Sequence, residues 1–520
     1  MMCGITGIIS HKQSPQADSS ASIHRMCATL SHRGPDDQGI EVLHHSAFGH
    51  QRLSILDLSD LGHQPMSSPD KAHTICYNGE LYNFKALRQE LLDKGYTFRS
   101  DTDTEVILHA WQEWGVQSVE RFNGMFAFAL YEAAEDAVYL VRDRMGIKPL
   151  YYAQAPSGEY LFASEVRTIL ASDLFPARLN KAALPAYLRY QSVPSPDTLI
   201  EGIQLLEPGH YLKFEKGKLV RKKQYWSAAT SLEQPAAVVN SAPEHKIRSL
   251  LTSAVEHRMI SDVPIGAFLS GGIDSSLIVG LMTKLSNQPI RTFTVAFDDE
   301  RFEDGHYARL VAKHFKTEHE EVSMPVEEVL HSLPEALLSQ DHPSADGMNT
   351  WIVSRAAKKN GLTVVLSGLG GDELFAGYAG FGRLMRQQRF AWAWRALPQA
   401  LRRLLANGLE KQGTISRQKL AQMLRTDGSL PEVFPITRQF YADAQIKALL
   451  PGFHALTDPY TAFLRSNLGQ FPEHKIISAL SFSEMRTYMH DVLLRDTDQM
   501  SMAHALEVRV PFLDHRLAEY

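Results

Sequence analysis

The sequence predicts a mixed α/β protein in two parts, a mostly antiparallel sheet region with helices followed by a parallel-sheet α/β region. Three observations carry that expectation. Up to about residue 215, apolar or alternating runs of strand length recur between turn residues, with two helical patterns among them. A small, polar, weakly periodic stretch at 227–243, SAATSLEQPAAVVNSAP, reads as a linker. Beyond it, strand-like and helix-like runs alternate, as a parallel sheet requires.

In chain order, the first part offers ITGII, AFGHQRLSIL, HTICYNGELYN, GMFAFALY, AVYLVRD and YLFASE as strands. Asn83 to Gly95 is apolar at positions 84, 87, 91 and 92, a helical spacing that ends on a glycine, and Thr104 to Trp114 is a second such segment. After the linker come PIGAFLS then SSLIVGLMTKL, RTFTVAF then HYARLVAKHF, and later LTVVLSG; from about 381 to 515 the chain reads mostly helical. No repeat of fixed period is evident.

A length of 520 residues suggests two or three domains, and 44% hydrophobic with 22% charged residues is ordinary for a globular protein. A net charge of -6 gives no global reason to expect nucleic-acid binding. Three cysteines without CxxC spacing argue against a disulfide framework. No run approaches the roughly 18 apolar residues of a membrane span, so no integral membrane segment is expected. The N-terminus lacks a basic lead with an apolar run, and a cytoplasmic location is expected. Twenty-two histidines show no HExxH spacing that would suggest a metal hydrolase.

Cys3 follows Met1 and Met2 and precedes Gly4. Trimming both methionines would place a thiol and a free α-amine on one residue, and an amine with a pKa of about 8 is a serviceable local base for the nucleophile. Aminopeptidases favour a small second residue, so Met2 is the expected true start. Alone, a cysteine near a start codon is as readily a packing residue. Downstream, however, stand HRGPDDQG at 32–39, QRLSILD at 51–57, YNGELYN at 77–83, SDTDTE at 100–105 and NGMFAFALY at 123–131. With these motifs the first 200 residues resemble the class II glutamine amidotransferases, the N-terminal-nucleophile hydrolases fused in asparagine synthetases.

The resemblance implies a four-layer αββα sandwich over 3–215, a linker over 216–243 and an asparagine synthetase-like ATP-binding domain over 244–520. It implies that Cys3 attacks the glutamine amide, while the Asn78 side chain and the Gly79 N–H form the oxyanion hole. Arg52 would take the glutamine carboxylate, Asp103 its ammonium, and Leu53, Ser54, Ile55, Leu56 and Glu80 would complete the pocket. The residue types suit those roles: a guanidinium fork matches a carboxylate, and two donors match a tetrahedral oxyanion. Each also has a plainer reading. Arg52 could form a surface ion pair, Asn78-Gly79 a hairpin turn, and Asp103 a helix N-cap.

SGGIDSS at 270–276 follows an apolar strand and opens a helix, so its backbone N–H groups could close around phosphate, although no GK[ST] of a Walker loop follows. It resembles the pyrophosphate loop of the ATP pyrophosphatases. That likeness implies ATP at Leu269, Ser270, Gly271, Gly272, Asp274, Ser275, Val295, Ser367 and Gly368, and Mg2+ between Asp274 and Asp372 of LSGLGGDELFAGY at 366–378. LLRDTDQMSMAHALEVRVPFLDHR at 493–516 resembles the family segment lining the acceptor pocket and the ammonia passage, where Met125 matches a tunnel methionine. The implied reaction takes glutamine, ATP and a carboxylate, aspartate by default, through an acyl-adenylate; a homodimer is a possible assembly.

Two departures stand out. Leu369 occupies a place where asparagine synthetases carry a glutamate, which opens the acceptor to another carboxylate such as a sugar acid. Family members also continue past VPFLD to a segment bearing a lysine, so the chain ending at Tyr520 reads as a fragment. A catalytically silent binding or regulatory relative is a further alternative. Residues 381–425 hold ten Arg/Lys, including Arg383, Arg386, Arg389, Arg395, Arg402 and Arg403, against the single acid Glu410, with Phe390, Trp392 and Trp394 among them. That stretch could meet an anionic surface or form a solvated helical face.

Overall fold

A computed structural model describes residues 3–12, 17–229, 242–297, 304–390, 396–410, 413–450, 457–468 and 475–520. The strands of the first half are β1 (Gly4–Ile9), β2 (Asp37–Val42), β3 (Ser46–Arg52), β4 (Met66–Ser67), β5 (His73–Leu81) and β6 (Gly124–Glu132). They continue with β7 (Ala137–Arg142), β8 (Tyr151–Gln154), β9 (Tyr160–Ala163), β10 (Ile203–Leu205), β11 (His210–Glu215) and β12 (Lys218–Gln224). Two six-stranded sheets result, in the orders β10-β8-β9-β1-β3-β2 and β12-β11-β7-β6-β5-β4.

The layering follows from the period-two alternation of each strand. On β6, Phe126, Phe128 and Leu130 pack with Leu87, Val106 and Trp111 of the helices Phe84–Asp93 and Asp103–Trp114. The intervening Ala127, Ala129 and Tyr131 face the other sheet, where Ile5, Phe48 and Phe162 meet them. Small residues on one sheet thus accept large ones from the other. The far face of that sheet is covered by Ile23 and Met26 of the helix Ala17–Ala28 and by Val166 and Ile169 of Val166–Leu170. Helix, sheet, sheet and helix make four layers.

The second half builds a parallel sheet from β13 (Ile265–Phe268), β14 (Arg291–Phe297), β15 (Glu318–Met324), β16 (Val364–Leu366) and β17 (Glu507–Arg509), in the order β15-β14-β13-β16-β17. Helices Pro243–Arg258, Ile273–Leu285 and Asp304–Phe315 share one core with it, built on Val255, Val279 and Ala312. Met348–Lys359 contributes Val353 and Ala357 to a second core with Phe293 and Val365. Strand order reverses about β13, whose neighbours β14 and β16 lie on opposite sides. Ligands of open α/β sheets bind beyond the strand C-termini at such a reversal.

Of the helical C-terminal part, Ala379–Arg389, Gln399–Glu410 and Ile415–Arg425 carry the basic residues, and Arg425 pairs with Glu410. Phe390 is exposed, whereas Trp392, Trp394 and Arg395 lie outside the described residues. So do Met1, Met2 and linker residues 230–241. Among the described residues no helix is long and apolar enough to cross a membrane.

Candidate active site

Cys3 stands at the head of β1, fully buried, and its backbone N–H donates to Asn78 Oδ1 at 2.9 Å. Burial pushes its thiol up to about 11, so a nucleophilic sulfur here needs a base close by. Asn78 lies inside β5, paired with Ala127 rather than in a turn. Its Nδ2 is buried without a hydrogen-bond partner among the described residues. Gly79 is required by a close approach: a Cβ there would strike the Met125 carbonyl and the Phe126 Cα.

Asp103 is not the cap of its helix, because Thr102 takes that role by accepting from the Glu105 N–H. The Asp103 carboxylate is fully buried, and its Oδ2 accepts from the Tyr77 hydroxyl at 2.9 Å and the Leu81 N–H at 2.8 Å. Its other oxygen, Oδ1, has no partner among the described residues. Arg52 is buried as well, donating to the carbonyls of Ser59 at 2.9 Å and Asp57 at 2.5 Å. It lines a cavity of about 470 Å3 with Leu53, Ser54 and Asp60, whose far wall includes Lys358 and Thr363 of the second half. Ile55 and Leu56 are buried beside it: Ile55 packs with Cys3, and Leu56 joins the helix-side core.

A buried ionic seam joins the halves, and sequence reasoning did not single it out. Arg33 donates to the Cys3 carbonyl at 3.3 Å and bridges Glu165 at 3.1 Å to Asp498 at 2.8 Å. Lys148 Nζ reaches the same Asp498 at 3.2 Å, and burial lowers the Lys148 ammonium. Glu80 faces Arg509 of β17 at 3.1 Å, and Arg509 also holds Glu507 at 2.5 Å. Arg33 and Asp498 fall within quoted motifs and Lys148 in none, but pairing across hundreds of residues leaves no periodic mark.

The second centre sits at the strand reversal. The loop after β13 carries Leu269, Ser270, Gly271 and Gly272, and the helix Ile273–Leu285 begins directly behind it with Asp274 and Ser275 in its first turn. The loop after β16 carries Ser367, Gly368 and Leu369. Ser270, Gly272, Ser275, Ser367, Gly368 and Leu369 line a cavity of about 660 Å3 with Asp274 and Asp372, whereas Leu269 is buried in the core beneath it and Gly271 is not on its wall. Gly271 has φ +79° and Gly370 φ +100°, and a Cβ at Gly371 or Gly377 would collide with the Asp274 or Asp372 carboxylate. Burial, with the charges of Asp372 and Glu373, raises the Asp274 carboxyl to about 6, and Asp274 and Asp372 are the two carboxylates here that could hold a cation. Val295 on β14 packs with the cluster containing Trp351 and Met500.

Between the centres lies an apolar cluster drawn from both halves. Met125, paired with Glu80 across β5 and β6, meets Tyr82, Met145, Met485, Met489 and Leu513, and Leu369 packs at its edge. A buried thiol beside unpartnered polar atoms thus stands on one side of this cluster, and a glycine-rich cavity at the strand reversal on the other.

Comparison with known proteins agrees. Residues 2–226 match the glutamine amidotransferase domain model and residues 246–520 the asparagine synthase model. Asparagine synthetase [glutamine-hydrolyzing] 1 of Bacillus subtilis (strain 168) is 32% identical over 99% of this chain and 79% of its own length. Asparagine synthetase [glutamine-hydrolyzing] 3 of the same strain is 33% identical over 100% and 80%. Amidase chyE of Penicillium rubens is 29% identical over 100% and 82%. A solved glutamine PRPP amidotransferase from B. subtilis aligns at a TM-score of 0.32 and 16% identity, over 71% of this chain and 82% of that one. The chain belongs to the asparagine synthase family, as an enzyme of the ligase class and the glutamine-hydrolysing type, a family that uses ATP.

Proposed function

We propose that the protein hydrolyses glutamine at Cys3 and uses the ammonia to amidate an ATP-activated carboxylate, aspartate by default. The observation that carries the glutaminase reading is the pair of buried, unpartnered atoms Asn78 Nδ2 and Asp103 Oδ1 near the Cys3 pocket. Each side chain is fixed through its other atom, Asn78 Oδ1 by the Cys3 N–H and Asp103 Oδ2 by Tyr77 and Leu81, which leaves a donor and an acceptor that suit the oxyanion and ammonium of bound glutamine. Arg52 takes the substrate carboxylate. In the mature chain the Cys3 α-amine receives the thiol proton as sulfur attacks the amide carbon, and the oxyanion forms against Asn78 Nδ2 and the Gly79 N–H. Collapse, with the α-ammonium returning that proton to the leaving nitrogen, expels ammonia, and water then cleaves the thioester to glutamate.

In the synthetase centre, an oxygen of the acceptor carboxylate attacks the α-phosphorus of ATP and pyrophosphate leaves. Ammonia then attacks the acyl carbon and AMP departs. Ser270, Gly271, Gly272 and Ser275 hold phosphate, Leu269, Val295, Ser367 and Gly368 border the nucleotide, and Asp274 and Asp372 hold Mg2+. The cation would neutralise the polyphosphate charge there. The Met125 cluster gives ammonia an apolar route on which it stays unprotonated. We assign the glutaminase domain to 3–224, since β12 pairs with β11 at the edge of its sheet and takes up the first part of the expected 216–243 linker. The linker shortens to 225–242, and the synthetase domain, opening with the helix Pro243–Arg258, is assigned to 243–520, in a cytoplasmic enzyme.

Leu369 favours a second reading of the acceptor alone, since an apolar side chain stands at the mouth of the route and a carboxylate other than aspartate, such as a sugar acid, then fits. The test supplies glutamine, ATP and Mg2+ with a panel of carboxylates and follows AMP and glutamate. Aspartate-dependent AMP is expected. AMP only with another acid would replace the acceptor, and no glutamate release would overturn the glutaminase half.

A further inference from the structure

One end of the first half's sandwich gathers a set of metal-ligating side chains. His44 and His45 occupy the turn between β2 and β3, in one sheet, and Asp136 closes the turn between β6 and β7, in the other. Asp136 Oδ2 accepts from His44 Nδ1 at 3.1 Å and is hydrogen-bonded to His45 Nδ1 as well. Each residue offers one ligand atom, and the three atoms all lie within 4.8 Å of one another. The carboxylate is held from behind, because the Tyr131 hydroxyl donates to Asp136 Oδ1 at 3.2 Å. Its backbone is fixed too, at φ +49° with its carbonyl accepting the Lys216 N–H at 3.0 Å. On the other sheet, the His45 carbonyl accepts the Ser10 N–H at 2.8 Å. Outer hydrogen bonds of this kind orient the ligands of metal sites.

We propose that His44, His45 and Asp136 bind one Zn2+ ion, which clasps the two sheets of the sandwich together. Two imidazole nitrogens and one carboxylate oxygen suit zinc, whereas Mg2+ and Ca2+ take oxygen ligands. A tetrahedral zinc with bonds of about 2.0–2.2 Å spaces its ligands by about 3.3 Å. The His44–Asp136 separation of 3.1 Å is close to that spacing, and His45 Nδ1 has only to draw back from the oxygen it shares. His44 is half exposed while His45 and Asp136 are largely buried, which leaves the His44 side for a water ligand. The ion takes no part in chemistry at Cys3. Across β1 and β3, Ile9 pairs with Ser46, next to His45, while Gly4, next to Cys3, pairs with Gln51. Five residue steps of about 3.3 Å put Cys3 roughly 17 Å from that end of the strand. Zinc stabilises the fold instead, because His45 and Asp136 are 91 positions apart and only folding brings them together.

The test uses the full chain, stripped with a chelator and titrated with ZnCl2 by calorimetry, beside its His44→Ala and Asp136→Asn variants. His44 is exposed enough to be truncated without disturbing a core, and Asp136→Asn keeps the shape of the side chain. Zinc is expected to bind the parent at a site that each substitution weakens by about tenfold or more. MgCl2 is expected to give no binding that either substitution changes. Saturating zinc is also expected to raise the Tm of the parent by about 2–4 °C more than that of His44→Ala. No zinc binding, or binding that both substitutions leave unchanged, overturns the site, and Mg2+ binding that is lost with them overturns the choice of metal. Zinc held through His44 without a difference in Tm overturns the clasp.

Discussion

The two centres solve opposite problems. The glutaminase pocket is closed: Cys3, Asn78 and Asp103 are fully buried and Arg52 nearly so, each fixed by neighbours on β1, β3 and β5 or on the helix beside them. The phosphate cradle is open, with Ile273 86% exposed and Asp274 only half-buried. A small amide can be recognised by side chains set in place before it arrives, in a site where low dielectric strengthens every charge. For a large, highly charged nucleotide, the proposed site offers backbone N–H groups, glycines and a helix start in an exposed cavity. Preorganisation is thus concentrated where the nucleophile is, and accessibility where the paired carboxylates are.

Substitutions that hit one centre and spare the other would sharpen that contrast. Cys3→Ala should reduce glutamate release to background while ammonium-driven AMP formation continues; persisting glutaminase would break the assignment. Asn78→Ala should lower the glutaminase kcat by about a hundred- to a thousandfold, as loss of one oxyanion donor does, again with ammonium-driven AMP formation intact. Asp274→Asn should do the reverse, cutting pyrophosphate release by about a hundredfold or more with either nitrogen source. Arg52→Lys keeps the charge but loses the fork, so the KM for glutamine should rise about tenfold with kcat less affected.

The smallest effect concerns pH. The Asp274 carboxyl is raised to about 6, so protons compete with Mg2+ below that pH. The apparent Mg2+ requirement of AMP formation should fall as pH rises from 5 to 7, by up to about tenfold per unit below 6. The sign for folding is the opposite. A raised carboxyl favours the fold most at pH below its ordinary value, and that contribution fades as pH rises through 6. A metal requirement flat with pH would count against Asp274 as a ligand.

Much of this was legible in the sequence because each legible feature is local. GMFAFALY alternates, and its two faces enter two different cores. Asn83 to Gly95 has helical spacing and a terminating glycine, and it forms Phe84–Asp93. The motifs around Asp274 and Asp372 named side chains that share one cavity, and those around Asn78 and Asp103 named buried side chains on β5 and the helix beside it. Other features were hidden for physical reasons. β15, EHEEVSM, is a sheet-edge strand with too many acids to read as one. β17 has three residues within a stretch that otherwise reads as helix and loop. The charges of Arg33, Glu80, Lys148 and Arg509 find partners only in three dimensions, and a buried cation looks in sequence like any exposed one.

The seam has a consequence for biosynthesis. Lys148 and its partner Asp498 are 350 positions apart, and at ribosomal speeds of 5–20 residues per second that gap takes about 20 to 70 s to translate. Through that interval Glu80 and Lys148 lack Arg509 and Asp498, and Arg33 has Glu165 but not Asp498. These ionised groups keep an otherwise apolar docking face hydrated and resistant to premature association until the remainder emerges to neutralise them.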